Sequence, residues 1–306
     1  MIKPLKLNKG DTIGIVAPAS SFDKENFKKG LKILRQLGFK IKYEKCILND
    51  YWSEPGHDKQ RAFQINRMFK DKEVKAILCA KAGYGSHDII SYLNPTIIKN
   101  NPKIFVGYSD ITILLLYLQN VSNMVVFHGP VISSEFFKGM HPETLNSLTR
   151  LLGEDKSFGR INATQIKALK HGKATGVIIG GNLTLILESI GTPYEIQTKS
   201  KILFIEEISE HKDTILDGIK KLQKRGKLDD IGGIIFGRMT DCFKDEDEFV
   251  QCMTKVFTKV KYPILHNFPS GHTEDIAHSH LTLPLGVLIH MDAKKLTVEI
   301  MEPAVN

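Results

Sequence analysis

Lys103 to Asn120 reads KIFVGYSDITILLLYLQN. An apolar run, Ile104 to Gly107, enters a sharp turn at Tyr108-Ser109-Asp110, and a strongly apolar helical pattern leaves it from Ile111 to Gln119. A short apolar run that turns into a longer one is the signature of a strand feeding a buried helix. The same succession lies upstream. Thr12 to Ala17, Lys40 to Tyr43 and Ala76 to Cys79 read as strands, while Lys24 to Leu37, His57 to Phe69 and Asp88 to Leu93 read as helices. This β-α-β-α order predicts a parallel sheet with helices on both faces.

Downstream the texture changes. Around Gly153 to Lys173 the chain turns polar and irregular, so a linker is expected at 156–169, after an α/β domain at 1–155. Residues 170–306 form the expected second domain. There the runs Gly176 to Ile179, Ile202 to Ile205, Gly233 to Phe236, Leu281 to Pro284 and Lys295 to Ile300 predict a strand-rich unit with few helices.

Composition narrows the function. A chain of 306 residues with 42% hydrophobic content can bury a large core. It contains no stretch of the roughly 18 apolar residues that a spanning helix needs, and Met1 to Gly10 lacks the apolar core of a secretory signal, which predicts a cytoplasmic protein. Cys46, Cys79, Cys242 and Cys252 are scattered with no CxxC pair, so free thiols are expected. The net charge of +8 is compatible with nucleic acid, an anionic surface or an acidic small substrate. Its densest group, Lys220, Lys221, Lys224, Arg225 and Lys227, ends an amphipathic helical pattern and reads as a solvated face. The basic residues are not interleaved with a row of aromatics, so no nucleic-acid partner is expected.

Several segments offer chemistry, each beside a plainer reading. Ser109 at a strand-to-helix turn would lift its hydroxyl above the sheet end beside the amides of the new helix, the position of a nucleophile. Ser109 or Asp110 could equally be a helix cap, and Ile111 stands where G-x-S-x-G has its second glycine. Ala82-Gly83-Tyr84-Gly85-Ser86 is a glycine-rich turn able to expose amides to an oxyanion or a phosphate, or simply a tight turn. Leu203-Phe204-Ile205-Glu206-Glu207 ends an apolar strand in carboxylates, and Pro269-Ser270-Gly271-His272 sets a histidine in a turn. His272, His278 and His280, with Glu274 and Asp275 between them, suggest metal ligands, yet the spacing matches neither HExxH nor another compact zinc pattern. No metal and no cofactor are expected.

Taken in order, these segments resemble the LD-carboxypeptidase and microcin-immunity family of serine peptidases. The resemblance rests on Gly10 to Pro18, Glu73 to Ile77 leading to Gly83-Tyr84-Gly85, Gly107 to Thr112, Gly180-Gly181-Asn182-Leu183, Leu203 to Glu207, Gly237-Arg238, Gly271-His272 and Pro284-Leu285-Gly286. It implies a flavodoxin-like N-terminal domain, a strand-rich, barrel-like C-terminal α/β domain, a site between them and a homodimer. It also implies a triad on Ser109, His272 and Glu206, with the backbone amides of Gly83 and Asp110 as oxyanion hole. Alternation along a strand sends Glu206 and Glu207 to opposite faces, so only one can serve. Lys81, Asn182 and Arg238 are candidate substrate contacts. Where the family reads Arg-Gly-Gly-Tyr-Gly, this chain has Lys81-Ala82-Gly83-Tyr84-Gly85, which keeps the backbone donor and loses a planar guanidinium.

The implied activity is removal of a terminal D-alanine from a muropeptide tetrapeptide, a small peptide substrate whose carboxylates suit a basic protein. Cleavage of a peptidyl-nucleotide antibiotic by the same residues is the alternative, and a base-stacking aromatic on a cleft loop would favour it. The single tryptophan, Trp52, lies far from the second-half motifs. A non-catalytic binder of wall fragments or nucleic acid is a third class, to which a steep salt dependence of DNA affinity would point.

Overall fold

The computed structural model describes residues 1–54, 56–161, 163–273 and 277–306. Strand and helix alternate through β1 (Thr12–Val16), α1 (Lys24–Gln36), β2 (Lys40–Lys42), α2 (Asp58–Lys70), β3 (Val74–Cys79), α3 (Pro95–Lys99), β4 (Ile104–Gly107), α4 (Thr112–Asn120) and β5 (Val126–His128). Local chemistry sets the boundaries. Asp23 caps α1 by accepting from the Asn26 amide at 2.7 Å, and Asn94 caps α3 by accepting from Ile97 at 3.0 Å, with Pro95 in the first turn. That cap corrects the helix expected at Asp88 to Leu93, where only a 3₁₀ turn, Ile90–Tyr92, forms. A residue before proline is pushed out of helical space, so the helix starts afresh at Pro95.

The chain continues through α5 (Pro142–Gly153), β6 (Gly159–Ile161), β7 (Lys167–Lys170), β8 (Lys173–Asn182), α6 (Leu183–Glu188), β9 (Ile202–Ile208) and α7 (Lys212–Lys224). It ends through β10 (Gly233–Thr240), α8 (Glu246–Val256), β11 (Ile264–His266), β12 (Leu283–Leu285), β13 (Leu288–Asp292) and β14 (Thr297–Ile300). In α7, Ile215, Ile219 and Leu222 are buried while Lys220, Lys221 and Lys224 are exposed, the solvated face anticipated there.

Two sheets result. The first runs β12-β5-β4-β3-β1-β2, with β1 to β5 mutually parallel, and all four residues of β4 are buried. Burial on both faces is what a helix-covered parallel strand requires. The second runs β6-β14-β13-β8-β9-β10-β11-β7, parallel from β8 to β11 and antiparallel at its flanks. Two features differ from the sequence reading. The stretch expected as a linker, 156–169, carries β6 and the start of β7, because Ile161 packs into the core opposite Val298. The Leu281 to Pro284 run, expected in the strand-rich half, supplies β12 to the first sheet, antiparallel to β5 with Leu283 opposite His128. It covers an edge that would otherwise expose unpaired backbone groups. Among the described residues no helix is long and apolar enough to cross a membrane.

Candidate active site

Ser109 leaves β4 with a left-handed backbone, φ +60°, before a 3₁₀ turn over Ser109–Ile111 opens α4. A non-glycine residue in this region is strained, and such residues gather at functional turns. The tightness has a visible cause. A side chain at Gly107 would meet Ile111 Cγ2 at 2.6 Å, so the glycine before the serine makes room for the isoleucine after it.

The Ser109 hydroxyl stands 2.8 Å from Nε2 of His272, whose Nδ1 stands 2.7 Å from Oε2 of Glu206. Three residues from β4's end, β9 and the turn after β11 thus form one hydrogen-bonded chain across the two sheets. Glu206 is fully buried, while the His272 side chain keeps 13% of its surface. Burial alone would raise the Glu206 carboxyl, but His272 and His128 hold it far below the usual carboxylate range. Burial likewise opposes a charge on His272, yet the Glu206 carboxylate prevails and raises its pKa above the ordinary imidazole value.

Glu207 turns the other way. Its carboxylate accepts from the Thr184 amide at 2.9 Å and hydroxyl at 2.8 Å, from the Asn182 side chain, and from its neighbour Ile208 at 3.0 Å. It serves the start of α6 while Glu206 serves His272.

Ser109 and Asp110 line a cleft of about 480 Å³ together with Gly83, Tyr84, Asn182 and Glu207. The glycine turn is held from behind. Ser20 Oγ accepts from the Tyr84 amide at 3.0 Å, and a side chain at Gly83, φ +115°, would meet that oxygen at 2.4 Å. Arg61, buried to 2% exposure, donates to the Pro18 carbonyl at 3.1 Å and pairs with Asp58; its guanidinium fills the space that a side chain at Gly85 would need. The Asp110 carboxylate accepts from the Ser86 amide at 2.9 Å, tying the turn to the Ser109 segment, and burial raises its pKa.

The other candidates separate. Asn182 lines the cleft, but its side chain is engaged by Glu207 and by the Leu185 amide at 3.3 Å. Arg238 faces a different cavity of about 600 Å³ and donates to the Ser279 carbonyl at 3.1 Å. Lys81 is half-buried and is not among the described residues lining the cleft. His278 and His280 line a third cavity, beyond Tyr108, and Glu274 and Asp275 lie outside the described residues. Among the described residues no group of three or more His, Cys, Asp or Glu side chains could hold a metal ion. Trp52 is buried, its indole donating to the Ala17 carbonyl at 2.7 Å.

Two residues near the site escaped the sequence reading. His128 ends β5 and packs its ring 5.8 Å from Tyr108 and 5.0 Å from Phe204. Glu135 bonds His280 at 3.2 Å, and against its burial His280 and the Tyr108 hydroxyl lower its pKa from the ordinary carboxyl value. Both sit in apolar stretches with no local pattern to distinguish them from core.

A two-sheet α/β architecture with a Ser-His-Glu hydrogen-bond chain between the sheets defines a class of hydrolases. Comparison supplies the family. Residues 13–129 match the LD-carboxypeptidase N-terminal domain and residues 175–291 the LD-carboxypeptidase C-terminal domain, and the chain belongs to this carboxypeptidase family, Peptidase S66. A probable murein peptide carboxypeptidase of Bacillus subtilis is 35% identical over 97% of this chain and 94% of its own. The microcin C7 self-immunity protein MccF of Escherichia coli is 29% identical over 96% and 94%. The crystal structure of an MccF-like protein from Bacillus anthracis superposes with a TM-score of 0.89 at 26% identity, covering 99% of this chain and 100% of the other.

Proposed function

We propose that the protein is a serine carboxypeptidase that hydrolyses the L,D-amide bond to the terminal D-amino acid of muropeptide tetrapeptides. The observation that carries this reading is the unbroken chain from Ser109 Oγ through both nitrogens of His272 to Glu206. Ser109 Oγ attacks the amide carbonyl carbon as its proton passes to His272 Nε2. The imidazolium, stabilised by Glu206, gives that proton to the leaving amine, the C–N bond breaks and an ester on Ser109 remains. His272 then takes a proton from water, whose oxygen attacks the ester carbonyl carbon; the imidazolium returns that proton to Ser109 Oγ as the C–O bond breaks, releasing the shortened peptide and restoring Ser109 and neutral His272. The amides of Gly83 and Asp110, both lining the cleft, receive the oxyanion, where one donor is worth roughly 100- to 1,000-fold in rate.

The substrate class is supported by the 35% identical relative named for murein peptides. In the same reading the protein is a cytoplasmic homodimer acting on wall fragments; sedimentation at working concentration tests the dimer. Mass spectrometry of a tetrapeptide ending in D-alanine is the decisive assay. Loss of one alanine with wild type, unchanged by EDTA and abolished in Ser109→Ala, is the expected result. EDTA inhibition would transfer the chemistry to a metal.

One observation favours cleavage of peptidyl-nucleotides instead. Tyr84 is 77% exposed on the cleft, an aromatic face available to a base. Cleavage of a peptidyl-nucleotide conjugate with none of the tetrapeptide would establish that alternative.

A further inference from the structure

The Ser-His-Glu chain uses only one oxygen of Glu206. The other, Oε1, is buried and has no hydrogen-bond partner among the described residues. Facing it at 3.9 Å is Nε2 of His128, also buried and also without a partner. His128 ends β5 in register with Gly107, two residues before Ser109, and its ring is fully buried with Tyr108, Phe204 and His280 around it.

The neighbours of the two ring nitrogens decide where the proton of a neutral ring lies. Ser270 Oγ is 2.7 Å from the Leu281 carbonyl, which can only accept, so the hydroxyl hydrogen points there. The same Oγ is 3.3 Å from His128 Nδ1, a long contact that demands little of that nitrogen. With its hydrogen on Nδ1, the ring would instead aim a bare Nε2 lone pair at a carboxylate oxygen. Two buried acceptors set against each other are costly, and a proton on Nε2 turns the conflict into a charge-assisted pair.

We propose that His128 is a positioning residue for Glu206: its Nε2–H holds Oε1, so that Oε2 stays aimed at Nδ1 of His272. The inference rests on the Ser109-His272-Glu206 reading proposed above. Burial lowers the His128 pKa from its ordinary value against the pull of the Glu206 carboxylate, so the ring is neutral where His272 is neutral and its one hydrogen is that on Nε2. The 3.9 Å separation exceeds a hydrogen bond, and such contacts tighten when substrate orders a site.

Gln and Asn at position 128 separate the two ring nitrogens, because a Gln amide reaches where Nε2 sits and an Asn amide where Nδ1 sits. His128→Gln is expected to keep most of the wild-type kcat. His128→Asn is expected to lose roughly 10- to 100-fold, the order of cost of removing a group that orients a catalytic side chain, with KM little changed in both. Nitrogen NMR of the full-length wild type at neutral pH is expected to show a neutral His128 ring with its hydrogen on Nε2. Equal losses in the two variants, or a bare Nε2 in the wild type, overturn the proposal, and the NMR result decides if neither variant folds. Ser109→Ala distinguishes the levels: activity surviving there defeats the triad itself, whereas an inactive Ser109→Ala beside a fully active His128→Asn defeats only the role of His128.

Discussion

The Ser109 hydroxyl lies 2.8 Å from Nε2 of His272, a residue 163 positions further along the chain. Ser109 belongs to the turn that follows β4 in the first sheet, and His272 to the turn that follows β11 in the second. The contact thus depends on how the two sheets pack. A displacement of about 1 Å at such a contact can cost on the order of 100-fold in rate.

Glu206→Gln should cut kcat by roughly 1,000-fold or more, because an amide nitrogen facing Nδ1 favours the wrong imidazole tautomer. The pH profile should change with it. In the proposed mechanism His272 must be neutral to accept the Ser109 proton, and its pKa is raised in the wild type, so kcat/KM should fall as pH drops through a value above the ordinary imidazole one. Without the carboxylate, burial dominates, and the acid limb of the residual activity should move to lower pH. A limb that stays in place would show that Glu206 does not govern His272.

Glu207→Ala should damage stability more than chemistry. It removes the acceptor for the Thr184 amide and hydroxyl and for the Asn182 side chain, leaving buried donors unpaired at the start of α6. A loss of about 1–3 kcal/mol in urea unfolding is expected. The fall in kcat should be far smaller than that of Glu206→Gln, and equal falls would mean that the two carboxylates share the catalytic task.

Gly83→Ala should lower kcat by roughly 100-fold or more if its amide is an oxyanion donor. The new methyl would lie 2.4 Å from Ser20 Oγ, and φ +115° is strained for any residue with a side chain. Adding Ser20→Gly removes the collision but not the backbone strain, so it should restore only part of the rate. Full activity in Gly83→Ala alone would exclude this amide from the mechanism.

Arg61→Met should act at a distance. The buried guanidinium holds the Pro18 carbonyl and Asp58 behind the glycine turn. Its loss should cost about 1–3 kcal/mol of stability and lower kcat with little change in KM, read from thermal unfolding and steady-state kinetics on the same preparation. Unaltered kcat in a destabilised variant would show that the turn keeps its shape without Arg61.

Much of this was readable before the structure. Period and turn chemistry in Thr12 to Gln119 marked a parallel α/β sheet, and the 103–120 stretch located the strained serine turn. The errors have physical causes. Asn94-Pro95 restarted a helix that apolar spacing had begun at Asp88, and β12 left its half of the chain because the edge of β5 needed a partner. Pairing across 155 residues, from His128 to Leu283, leaves no local trace.

Sequence by itself determined which residues could be strand, helix and turn, since backbone propensity and apolar period act within a few residues. It also determined that Glu206 and Glu207 face opposite ways, because side chains alternate along a strand. Only the tertiary structure decided which of them meets His272, and that His128 lies against the far oxygen of Glu206. Those choices depend on how one sheet packs on the other, a balance of contacts summed over the whole core that no single stretch of the chain contains.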